Sequence, residues 1–110
     1  MSEQYCLVLC TCPTDNTATR LAKEIVSRQL AACVNILPGI TSIYSWNGKI
    51  ETDQEQLLLI KTQSDLATPL EALIKEHHPY ELPEIITVPI SHGSIEYLHW
   101  ITQCINSPSE

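Results

Sequence analysis

Phenylalanine is absent from this 110-residue chain, glycine occurs three times, and lysine and arginine together number six. With so little glycine, no Gly-rich phosphate loop can be assembled. The few basic side chains face thirteen aspartates and glutamates, for a formal charge of −7. That balance argues against nucleic acid or an anionic membrane as partner, because both are bound through clustered positive charge. Long hydrophobic runs are missing too. The longest aliphatic stretch is Leu57-Leu58-Leu59-Ile60, whereas a membrane span needs about 20 residues. The opening Met-Ser-Glu-Gln-Tyr lacks the positive end of a secretory signal. Cysteine is present but in odd number, at positions 6, 10, 12, 33 and 104, with no C-x-x-C spacing. A zinc ribbon or a disulfide framework is therefore disfavoured, and reduced thiols in the cytoplasm are expected.

The remaining composition is that of a globular protein, with 44% apolar and 17% charged residues. The length suits one domain spanning residues 1–110. Residues 4–12, rich in Leu, Val and Cys, read as a strand stopped by Pro13. Thr14 or Asp15 can cap a helix whose apolar residues Ala18, Leu21, Ala22 and Ile25 recur at helical spacing, and this helix is expected to reach about Ala32. Residues 33–37 read as a short strand closed by a Pro38-Gly39 turn. Residues 40–46 form the next strand, followed by Asn47-Gly48, a favoured two-residue hairpin loop. The return strand runs from Lys49 through an acidic stretch (Glu51, Asp53, Glu55) to Ile60. A second helix starts near Ser64-Asp65, carries Leu66, Leu70, Leu73, Ile74 and His77 on one face, and ends before Pro79. Residues 84–90 predict another strand. A third helix after Ser91 to Ser94 puts Leu98, Ile101 and Ile105 on one face.

This order predicts an α+β, ferredoxin-like βαββαβ sandwich with an additional C-terminal helix. Both crossover helices of such a sandwich lie on one face of the sheet, so the open face should alternate apolar and polar. Cys6-Leu7-Val8-Leu9-Cys10 and the run 57–60 do not alternate. A second copy of the chain is the simplest cover for that face, and a homo-oligomer is expected.

Five blocks of sequence, in order and nearly spanning the chain, carry a resemblance. They are Ala31-Ala32-Cys33-Val34-Asn35-Ile36, the run from Ser42-Ile43-Tyr44-Ser45-Trp46 to Glu51, Glu55 through Leu59-Ile60-Lys61-Thr62, His78-Pro79-Tyr80-Glu81-Leu82-Pro83-Glu84-Ile85, and Tyr97-Leu98-His99-Trp100-Ile101. Together they resemble the CutA divalent-ion tolerance family. The resemblance implies a cytoplasmic homotrimer of ferredoxin-like subunits that binds divalent cations and is linked to copper tolerance in bacteria. It also implies a ligand set. A cysteine ending the first strand and two consecutive histidines before Pro-Tyr correspond here to Cys10, His77 and His78. Thiolate and imidazole are donors that suit copper, as Cu2+, with zinc or other divalent cations also within their range. Neighbours on a helix point about 100° apart, so both imidazoles reach one ion only if the helix unwinds before Pro79.

Each of these residues also has a plainer role. Cys10 reads equally as a small buried hydrophobe, His77 as a core histidine continuing its helix's apolar stripe, and His78 as a residue on the face of Glu71 and Lys75 near a negative helix end. Cys10 and Cys12 share one strand face and could hold a soft ion, although C-x-C matches no zinc pattern. Cys33 and Cys104 read as packing residues, and His92 and His99 have no partner at ligand spacing. Tyr44, Trp46 and Tyr97 read as half-buried aromatics, the stretch around Asp53 as a solvated strand face, and Glu81 and Glu84 flank Pro83 in a loop that could line a subunit cleft.

Two other functions are set against metal binding. A trimeric signalling protein of the P-II type, sensing a small ligand in intersubunit clefts, shares the fold. It carries a long loop where this chain has the tight Trp46-Asn47-Gly48-Lys49 connection. An acylphosphatase-like enzyme would need arginine and backbone donors cradling an anion after the first strand. Cys12-Pro13-Thr14-Asp15 offers neither glycine nor arginine there, and no enzymatic activity is expected.

Overall fold

In a computed structural model, residues 4–106 are described. The elements follow as β1 (Tyr5–Cys12), α1 (Thr17–Ser27), β2 (Cys33–Trp46), β3 (Lys49–Gln63), α2 (Ala67–His77), β4 (Ile86–Pro89) and α3 (Ile95–Asn106). A single 3-10 turn, Ser64–Leu66, leads into α2. The sheet order is β2-β3-β1-β4, with every neighbouring pair antiparallel. This is the ferredoxin-like sandwich with one helix added at its C-terminal end. No helix among the described residues is long and apolar enough to cross a membrane.

Alternation along the strands sorts the two faces. Cys6, Val8, Cys10 and Cys12 of β1 point to one side with Leu58, Ile60 and Thr62 of β3. There they meet Ala18, Leu21 and Ile25 of α1 and Leu70, Leu73 and Ile74 of α2, forming the main core. Thr62 is tolerated in that core because its hydroxyl donates to the Leu30 carbonyl at 2.7 Å. α3 crosses the other face, tied down where the Thr102 hydroxyl bonds Tyr5 and accepts from the Gln63 amide, with the Lys61 ammonium over the Tyr97 ring. Leu7, Leu9, Leu57 and Leu59 on this face are half-buried, and Leu37, Ile86 and Val88 are exposed beside them.

Several boundaries differ from the sequence expectation, among them the end of β3, which runs to Gln63 rather than Ile60. α1 stops at Ser27 rather than near Ala32, because Gln29 takes a left-handed conformation (φ 58°) and Leu30 N–H turns back to the Ile25 carbonyl. Residues 33–46 form one strand, not two. Pro38 and Gly39 lie at a bulge between Leu37 and Ile40, and the φ of 75° at Gly39 suits a residue without a Cβ. β4 covers only four residues. The Asn47-Gly48 hairpin forms as expected, with positive φ at both positions.

The hairpin outgrows the sheet. β1 pairs with β3 only as far as Cys12 opposite Gln56, so residues 40–55 pair with each other alone. Seven residues per strand at about 3.3 Å each make a two-stranded arm roughly 20 Å long.

Candidate metal centre

Cys10 and Cys12, two residues apart in β1, put both thiols on the core side, and both residues are fully buried (0% exposed). α2 ends at His77, and His78 leaves it with extended backbone (φ −85°, ψ 138°) imposed by the following Pro79. That turn swings the His78 ring under β1, where only 8% of the residue remains exposed. One donor atom each from Cys10, Cys12 and His78 lie within 4.8 Å of one another, the only such group of three among the described residues. Bond lengths of about 2.0–2.3 Å to a tetrahedral ion would set donors about 3.5 Å apart, so closure requires shifts of no more than about 1 Å.

The imidazole is held at both nitrogens. Nδ1 accepts from the Tyr80 N–H at 3.2 Å, which leaves Nε2 carrying the hydrogen and donating to the Thr11 carbonyl at 2.8 Å. A ligand atom at His78 is released only by giving up one of these bonds. The Tyr80 ring lies 4.6 Å from the imidazole, and its hydroxyl donates to Glu55 Oε2 at 2.8 Å. Glu55 is itself 6% exposed. The Cys10 thiol is pushed well above the ordinary range, first by its hydrogen bond to Cys12, then by burial and the negative charges of Glu84 and Glu55.

The placement of the expected ligands is therefore mixed. Cys10 and His78 come together. His77 does not join them: it lies exposed on the outer side, its Nε2 3.3 Å from Glu76 Oε1, and lines a surface depression together with residues of α1. The burial expected from the helical stripe is reversed, with His77 outside and His78 inside, because the helix has ended before His78 and its periodicity no longer applies. Cys12 takes the third position. Its signal was the even spacing from Cys10, which places both thiols on one strand face whichever face is buried.

The fold and this cluster define a class: a small ferredoxin-like protein with a buried, soft-donor pocket of two thiols and an imidazole. Residues 6–104 match the family model of the CutA1 divalent ion tolerance protein, and the chain belongs to that family. It is 48% identical over 99 residues to Protein CutA of Mus musculus, covering 90% of this chain but 56% of that protein, so it spans little more than half the length of this curated relative. It is 47% identical over 97 residues to the divalent-cation tolerance protein CutA of Thermus thermophilus, covering 88% of this chain and 94% of that one. The crystal structure of CutA from Xylella fastidiosa superposes with a TM-score of 0.91 at 44% identity, covering 94% of this chain and 99% of that chain.

Proposed function

We propose that this chain binds a soft or borderline metal ion, copper before zinc, through Cys10, Cys12 and His78, and that it serves metal-ion tolerance by binding rather than by catalysis. The observation that carries the reading is the convergence of two thiols and an imidazole in one buried pocket. Thiolate and imidazole favour copper and zinc, whereas magnesium and calcium take oxygen donors. The same cluster gives the family's tolerance role a chemical basis in this chain. The free thiols of Cys6, Cys10, Cys12 and Cys33 support the reducing cytoplasm as its compartment. Cu(I) titrated into the reduced protein should saturate at one ion per chain in the parent and not in the Cys10→Ser/Cys12→Ser double variant; equal saturation of the two would move the site elsewhere.

Assembly as a homotrimer is part of the proposal. It is supported by the half-buried leucines and the exposed Leu37, Ile86 and Val88 on the sheet face that α3 covers only in part. Light scattering at micromolar concentration should return three times the chain mass, and a monomer peak would remove this element. A second reading, a trimer of P-II type that senses a small ligand, draws support from a cleft of about 630 Å³ between the arm and the loop after α2.

A further inference from the structure

The arm and the loop that follows α2 enclose a cleft of about 630 Å³, within the size range of small-ligand sites. Its walls are aromatic: Tyr44 and Trp46 from the arm, Tyr80 from the loop. Its charges are all of one sign. Asp53 and Glu55 come from the arm, Glu81 and Glu84 from the loop, and no lysine, arginine or histidine lines it. The two tyrosine hydroxyls are committed to carboxylates, Tyr44 to Asp53 and Tyr80 to Glu55, which fixes the rings. Glu55 is the decisive group. It is more than nine-tenths buried, one oxygen is held by Tyr80, and the other has no partner among the described residues and opens onto the cleft. That free oxygen is reached by water in the cleft, and a cation entering there would meet a carboxylate whose other oxygen is already fixed.

A bare metal ion is a poor match. No three carboxylates of the cleft bring their oxygens within 4.8 Å of one another, so they cannot close around one hard ion. Separated carboxylates with apolar, aromatic surface between them suit a longer cation. Its alkyl stem would lie on the rings and its charged ends would reach the acids, with cation–π attraction adding to the ion pairs.

We propose that this cleft is a binding site for a linear aliphatic diamine or polyamine, with Glu55 and Asp53 receiving one ammonium group and Glu81 or Glu84 the other. The site is separate from the metal pocket, and the proposal does not rest on copper binding.

The probes are 1,5-diaminopentane and spermidine, titrated calorimetrically into the intact, metal-free protein at 150 mM NaCl. A Trp100→Phe background lets fluorescence report Trp46 alone. Saturable binding at one site per chain is expected, with a change in Trp46 emission. Glu55→Gln keeps an acceptor for the Tyr80 hydroxyl and should weaken binding at least tenfold, as loss of a charged hydrogen-bond partner does. Trp46→Ala, a change in the exposed arm that leaves the core intact, should also weaken it. Glu71→Gln, on the outer face of α2, should leave it unchanged, and 1,5-pentanediol should not bind. Three outcomes would overturn the proposal: no saturable binding, equal loss in Glu55→Gln and Glu71→Gln, or displacement of the diamine by magnesium at equal concentration.

Discussion

Cys12→Ser is expected to weaken copper binding at least tenfold, and Cys10→Ser and His78→Ala should do the same, while His77→Ala stays within about twofold of the parent. Loss even of groups that only orient a ligand typically costs 10–100-fold in metal affinity, and loss of a ligand should not cost less. The contrast between the two adjacent histidines is the sharper part. His78 is buried between Thr11 and Tyr80, whereas His77 stands outside against Glu76. If His77→Ala costs as much as His78→Ala, the end of α2 must unwind on metal binding and bring both rings to the ion. Competition with a chelator of known affinity measures each variant, and circular dichroism checks that His78→Ala, which loses two hydrogen bonds, remains folded. Affinity should rise with pH. The Cys10 thiol is held protonated above its ordinary range, and a metal must displace thiol protons, so one or two protons released would give about 10–100-fold per pH unit.

The second large effect is on stability. Ile60→Ala is expected to lower the unfolding free energy by about 2–5 kcal/mol, the range for deleting a large aliphatic side chain from a core. Ile60 is fully buried in β3, opposite Val8 on one side and Val34 on the other. Both neighbours belong to strands fixed by pairing, so the vacated space cannot easily collapse. Since a domain has about 5–15 kcal/mol in total, the loss is a large share of the whole. Ile50→Ala is the comparison: that side chain is 76% exposed near the tip of the arm and should change stability by less than about 0.5 kcal/mol. Urea unfolding at fixed protein concentration decides between them. Equal effects would mean that the arm is buried in solution and Ile50 with it.

The sequence reveals those parts of the fold whose signals are local. Ala18, Leu21, Ala22 and Ile25 announce one face of α1, and all four are buried. Asn47-Gly48 announces the hairpin because few other pairs take two positive φ angles cheaply. Where the competing signal was also local, it misled. Pro38-Gly39 has the composition of a turn, yet long-range pairing of residues 33–37 with 57–61 absorbs it as a bulge. The end of α1 rests on a left-handed glutamine, which has no recognisable sequence signature. The ligand cluster lies between these cases. Cys10 and Cys12 were legible as one strand face, but which histidine faces them depends on the single residue at which α2 stops. Helix ends are the least legible feature of a sequence. Glu55 read as one acid in a solvated stretch, and only the tertiary contact with Tyr80 distinguishes it from Glu51.

The position of β1 has a consequence for synthesis. This first strand lies in the middle of the sheet, and its two neighbours come from the second half of the chain: Leu9 faces Leu59 on one side and Ile86 on the other. A nascent chain that has emerged only through α1 and β2 holds two strands that never touch in the finished sheet, since β3 separates them. β1 must therefore wait, its cysteines and leucines exposed, until β3 has been made through Gln63, and its other edge waits for β4. At about 5–20 residues per second that delay lasts several seconds, and contacts so distant in sequence form slowly even afterwards. Exposure of the first strand during translation is then a hazard separate from the stability of the finished fold, and a chaperone that shields it should raise the soluble yield.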